Sequence, residues 1–139
     1  MKIKEILDDL LITGNCPPDH TWRDRKEIQV EELGNERMIW RESISGTRLI
    51  VENMLREHGI LENIENYMEI GSTQAIKSAV EAGLGISILP RLSLARELDQ
   101  GFLREVGISG INITRDLWLV RKNRRFNKIG VSNFVNFLQ

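Results

Sequence analysis

The chain contains a single cysteine, Cys16, so no internal disulfide can staple it. It has neither a CxxC pair nor a Cys/His array that could hold zinc, and its two histidines, His20 and His58, suggest no metal role. An excess of charge is missing too. Nineteen Lys and Arg against twenty Asp and Glu leave a formal net charge of −1, so no global field draws the chain onto DNA or an acidic membrane. No apolar run approaches the roughly 18 residues of a membrane span. The opening Met-Lys-Ile-Lys-Glu-Ile is charged where a signal peptide would build its apolar stretch. These absences point to a soluble, unexported, cytoplasmic chain with no metal, no cofactor, no membrane partner and no direct contact with DNA.

What is present fits one compact unit: 139 residues, 41% apolar and 28% charged. Gly and Pro punctuate alternating strand-like and helix-like segments, the α/β signature. Leu10–Thr13 reads as a strand broken by Cys16-Pro17-Pro18-Asp19-His20, and Ile28–Leu33 carries a sparse apolar pattern. Arg37–Arg41 reads as a buried strand. From Thr47, the positions Ile50, Val51, Met54, Leu55 and His58 follow helical spacing, and Gly59 ends that helix. The pattern repeats with a strand at Tyr67–Ile70, a turn at Gly71-Ser72-Thr73 and a helix burying Ala75, Ile76, Ala79, Val80 and Gly83. Ile86–Leu89 predicts another strand, with Pro90 opening a third helix that runs toward Gly101. Phe102–Val106 predicts a short strand, Gly107 and Gly110 a bracketed loop, and Leu117–Val120 a strand. The final segment sets Val131, Phe134, Val135 and Leu138 on one stripe with Ile129 and Phe137 off it, more apolar surface than one contact face needs.

Two segments share one construction: a strand, a tight turn bearing hydroxyls, then a helix N-terminus. In the first, Ser43 or Ser45 is suited to the N-cap and Gly46 and Thr47 follow; in the second, Ser72 and Thr73 play the same parts. Unpaired amides and the helix dipole favour a carboxylate, phosphate or similar group at such a start. One serine at a helix start is more often an ordinary cap. Two such turns on one sheet edge, beyond the carboxyl ends of neighbouring parallel strands, predict a shared ligand cavity.

Other constellations reduce to simpler readings. Cys16 with His20 could pair a nucleophile and a base, but Pro17-Pro18-Asp19 between them is a rigid turn and no orienting partner is identifiable. Gly83-Leu84-Gly85 follows a helix and precedes a strand, the reverse of a dinucleotide fingerprint. The basic run of Arg121, Lys122, Arg124, Arg125 and Lys128 reads as a solvated connection. Trp22, Trp40 and Trp118 read as packing residues, not a stacking platform.

In order and spacing, these pieces resemble the distal part of the effector-binding domain of LysR-type transcriptional regulators. The residues that carry the resemblance are Cys16–His20, Val30-Glu31-Glu32-Leu33, Ser45-Gly46-Thr47-Arg48, Met68–Lys77 and Val80–Pro90. The resemblance implies an α/β fold: one lobe, the second, of a fold like type II periplasmic binding proteins, with a mixed sheet flanked by helices. Residues 1–15 would be the first crossing strand, 16–116 lobe two, and 117–139 the return strand and terminal helix. The family's winged helix-turn-helix and lobe one would be absent. It also implies a small effector at Ser43, Ser45, Gly46, Thr47, Ser72 and Thr73, and a terminal helix that packs on lobe one.

The resulting expectation is a non-enzymatic sensing domain that binds a small, anionic effector and belongs to a homodimer or higher oligomer. DNA would be contacted through the parent's missing helix-turn-helix. Two alternatives stay open at this point: a shortened dimerisation module that no longer binds effector, and a small thiol enzyme built on Cys16.

Overall fold

The computed structural model describes residues 2–3, 11–118, 120 and 128–138. In chain order the elements are β1 (Lys2–Ile3), β2 (Leu11–Cys16), β3 (Glu27–Ile28), a 3-10 segment (Val30–Asn35), β4 (Arg37–Arg41) and α1 (Gly46–Glu57). A 3-10 turn (Leu61–Asn63), β5 (Glu65–Ile70), α2 (Thr73–Glu81), β6 (Ser87–Pro90) and α3 (Arg91–Asp99) follow. β7 (Arg104–Ile108), β8 (Ile113–Thr114), β9 (Leu117–Trp118) and α4 (Ile129–Phe137) complete the chain.

The expected mixed α/β sheet is present. β4 and β5 pair in parallel. A parallel bridge at Met38–Ile86, with Ile39 N–H donating to the Ile86 carbonyl and Ile86 N–H to that of Arg37 at 2.9 Å each, joins this pair to β6. From β6 the sheet continues through β2 and β7 to β3, and β8 pairs with the start of β2. β2 runs antiparallel to β6, β7 and β8, so it is the one reversed strand in a sheet whose other neighbours run together. β1 and β9 form a separate antiparallel pair.

β4 shows why the sequence takes this form. Arg-Met-Ile-Trp-Arg has no polar residue between its two arginines, and strand side chains alternate between faces. Met38 and Trp40 enter a core with Val51, Met54 and Leu55 of α1, while Ile39 enters a second core with Ile76, Ala79 and Val80 of α2 and Leu89, Leu94 and Leu103. The two cores therefore lie on opposite faces of one sheet. Each fully buried aliphatic side chain contributes roughly 1.5–3 kcal/mol.

Two polar pairs are carried into this interior. On β2 and β6, the opposed Asn15 and Ser87 exchange bonds, Ser87 Oγ to Asn15 Oδ1 at 2.9 Å and Asn15 Nδ2 to the Ser87 carbonyl at 3.1 Å. Lys77 of α2 reaches α3, donating to Glu97 Oε1 at 3.0 Å and to the Ser93 carbonyl at 2.8 Å.

Several sequence expectations shift. The first strand runs through Asn15 to Cys16 rather than stopping at Thr13, because ladder partners on β6 and β7 are available until the prolines. Lys77 is buried on α2 and Ala75 is exposed; the ion pair with Glu97 overrides residue polarity. His58 is exposed as the C-cap of α1 rather than on its buried stripe. Gly107 is a ladder residue of β7, paired with Glu27, so the loop is confined to Ser109–Asn112 and the strand extends past Val106 to Ile108. Among the described residues the late strand covers Leu117–Trp118, and Val120 is exposed. The basic residues Arg121, Lys122, Arg124 and Arg125 lie outside the described residues. α4 has no buried residue: Ile129 is 81% and Phe137 79% exposed.

The β4–β6 junction depends on Gly85. A Cβ there would stand 2.3 Å from the Arg37 carbonyl oxygen, closer than any side chain tolerates. Gly85→Ala is expected to lower the unfolding free energy by about 3 kcal/mol through backbone displacement, measured by urea denaturation.

Candidate functional site

Because β4 and β5 are parallel, Arg41 and Ile70 end at the same sheet edge, and the two turns that follow them lie side by side. Ser45 is the N-cap of α1, its hydroxyl accepting from Arg48 N–H at 3.3 Å. Ser72 is the N-cap of α2, its hydroxyl accepting from Ala75 N–H at 3.3 Å. Of the two serines suited to capping α1, Ser45 has the role; Ser43 is exposed outside the helix.

The six predicted residues divide by accessibility. Ser45 and Thr47 are 7% and 4% exposed, their hydroxyl oxygens engaged by the cap bond and by the Arg115 guanidinium at 3.1 Å. Ser43, Gly46 and Ser72 are exposed and Thr73 is half-buried. Ile44, between the two serines of the first turn, is 91% exposed.

Three arginines that sequence reasoning did not single out organise this edge. Arg41, the last residue of β4, grips Glu42 with Nε and one terminal nitrogen, both at 2.9 Å, and donates from its other terminal nitrogen to Thr73 Oγ1 at 3.0 Å. Arg48, in the first turn of α1, donates to Glu52 and Glu69 at 2.7 Å each and to the Arg41 carbonyl at 2.8 Å, with its guanidinium over the Trp40 ring. Arg115, between β8 and β9, reaches Thr47 across 68 positions of sequence. Hydrogen bonding from Arg41 holds the Glu42 carboxyl below the ordinary carboxylate range. Arg41-Glu42 stands immediately before the first serine and was legible as part of the turn; the partnership of Arg115 with Thr47 left no sequence signal.

The two entrances share an edge, and two cavities lie elsewhere among the described residues. One of about 500 Å³ is lined by residues including Thr13, Lys26, Glu27 and Glu105, and one of about 440 Å³ lies between α1 and the Gly110–Thr114 segment. None of the six predicted residues lines either.

The geometry gives the thiol reading no support. Cys16 is fully buried, and burial foremost, then the Glu36 carboxylate, pushes its thiol up to about 11 against the opposing pull of Arg104. His20 is committed elsewhere: Nδ1 accepts from Trp22 N–H at 3.1 Å and Nε2 lies 3.2 Å from Glu36. Trp22 and Trp40 are buried, as expected of packing residues.

Comparison with known proteins accounts for this arrangement. Residues 15–139 match the family model described as the LysR substrate binding domain. The chain belongs to this family. It is 39% identical over 138 residues to the HTH-type transcriptional activator CmpR of a Synechocystis species, covering 99% of this chain and 44% of that protein. It is 36% identical over 96 residues to the HTH-type transcriptional regulator CbbR of Rhodospirillum rubrum, covering 69% and 32% respectively. The chain thus spans less than half the length of the curated relatives it matches. The regulatory domain of CcmR from Synechocystis PCC6803, solved in complex with 2-PG, superposes with a TM-score of 0.81 at 28% identity, covering 92% of this chain and 61% of that one. The effector-binding domain of QuiR, solved in complex with shikimate, shares the fold with a TM-score of 0.73 at 18% identity, covering 91% and 58%. The resemblance read from the sequence is therefore shown, both as family and as fold.

Cys16 generates a prediction. A thiol whose folded value is raised from 9.0 to about 11 keeps its proton longer in the folded than in the unfolded chain. Its contribution is unchanged below pH 9 and becomes destabilising as pH rises from 9 toward 11. Iodoacetamide at pH 8 is expected to label Cys16 only after denaturant is added, as read by mass spectrometry.

Proposed function

We propose that this chain is the effector-sensing part of a LysR-type transcriptional regulator and that its ligand is a small anion held where α1 and α2 begin. The observation that carries this reading is the parallel β4–β5 pair, which sets two helix N-termini side by side at one carboxyl edge. The CcmR regulatory domain, the 28% identical relative in fold, was solved with 2-PG, and that makes 2-PG the first ligand to try here. Ser43, Gly46, Ser72 and Thr73 would meet the ligand directly. Ser45 and Thr47, which are buried, would act by fixing the backbone amides of α1.

In this proposal residues 16–116 form lobe two, 1–15 and 117–139 supply the connecting strands and the terminal helix, and a first lobe completes the cleft. The exposed apolar side chains of α4 support that organisation, since Ile129, Phe134 and Phe137 have no partner surface within the described residues. The protein would act in the cytoplasm as a homodimer or higher oligomer and reach DNA through a separate helix-turn-helix. It would work by shifting a conformational equilibrium rather than by catalysis. No helix among the described residues is long and apolar enough to cross a membrane.

Isothermal titration of the natural polypeptide with 2-PG, inorganic phosphate and an uncharged polyol tests the reading. The anions are expected to bind and the polyol not. Replacing Ser45 and Ser72 together with Ala should weaken anion binding by about tenfold, the scale of one lost charge-assisted hydrogen bond at Ser72 together with a loosened cap at Ser45. Binding of uncharged ligands alone, or undiminished anion binding by the double variant, would overturn it.

A further inference from the structure

Arg41 is the one described side chain whose hydrogen bonds join the two turns. Its guanidinium takes both oxygens of Glu42, in the first turn, and donates to Thr73 Oγ1, at the first residue of α2. The Glu42 carboxylate lies across the second turn as well: a Cβ added at Gly71 would stand 3.9 Å from Glu42 Oε2. The pair occupies the junction between the entrances, with both side chains partly open to solvent.

The two-bond fork on Glu42 is the geometry by which a guanidinium recognises any carboxylate or phosphate. Nearby arginines are otherwise engaged, Arg48 with Glu52 and Glu69, and Arg115 with Thr47. Arg41 is held instead by the carboxylate of its own chain neighbour. Both side chains of that pair are partly open to solvent, so the fork can exchange its partner without opening the core. An incoming anion would also meet repulsion from Glu42 for as long as Glu42 stayed in place.

We propose that Glu42 is an internal counter-ion occupying the anion-binding fork of Arg41, and that the effector's carboxylate or phosphate binds by displacing it. The inference rests on the anionic-effector reading above and deepens it, making Arg41 the principal charge contact and Glu42 the residue that sets affinity and selectivity. No covalent step is involved: one carboxylate leaves the fork and another anion enters. Thr73 remains on the third Arg41 bond, so exchange draws the start of α2 toward the same ligand that α1 meets. The depressed carboxyl of Glu42 is consistent with a group that stays ionised and in place until displaced.

The test uses the natural polypeptide titrated with inorganic phosphate and with 2-PG. Glu42→Gln keeps the shape of the side chain and removes its charge; it is expected to bind either anion about tenfold more tightly than the unaltered protein. Arg41→Gln is expected to lose binding, and Arg41→Lys, which keeps the charge without the fork, to fall between the two. As a readout that needs no substitution, the Arg41 Nε–H resonance should shift on phosphate addition. If the unaltered protein binds anions but Glu42→Gln binds them no more tightly, or if the Arg41 resonance does not move, the exchange is overturned while the anionic reading stands. If neither protein binds either anion, both fall.

Discussion

The parallel pairing of β4 with β5 is the constraint from which the rest of this edge follows. In parallel strands the carboxyl ends meet at the same side, so the turns after Arg41 and Ile70 become neighbours although they are separated by a whole helix in the sequence. That pairing holds because β4 is buried on both faces. Met38 and Trp40 bind it to α1 and Ile39 binds it to α2, so a register slip of one residue would disrupt two cores at once. Gly85 lets β6 come close enough on the other side to bridge β4.

Electrostatics at this edge follows from the same placement. Two helix N-termini would repel cations, yet Arg41, Arg48 and Arg115 all stand there. Glu42 pairs with Arg41, and Glu52 and Glu69 pair with Arg48, so the arrangement is a set of ion pairs rather than a bare positive pocket. Burying a neutral apolar group against such a set would leave its charges without water.

The terminal helix expresses a different constraint. Its apolar residues are spread around the helix, and none is buried among the described residues. In contrast, α1 and α2 each bury one stripe against the sheet. A helix of this composition is accounted for if its surface is completed by a further part of the regulator, as the matched relatives, more than twice the length of this chain, leave room for.

Periodicity and turn residues in the sequence by themselves determined the alternation of strands and helices, a cap at Ser72, one at Ser43 or Ser45, and the helix end at Gly59, because each depends on neighbours within a few positions; the order of motifs along the chain carried the resemblance to the family. Local signals also explain the misplaced strand ends: a ladder at Gly107 or Asn15 exists only when a distant partner strand supplies it. Burial of Lys77 was decided by Glu97, a helix away, and the contact of Thr47 with Arg115 by the return of the chain across the sheet. Tertiary structure alone decided that Ser45 and Thr47 were buried while Ser43 and Ser72 faced solvent, and it placed Arg41 between the two turns. Hydrogen bonds and ion pairs of that kind are set by distances in space, and those distances arise only after the hydrophobic faces of β4 have been covered on both sides.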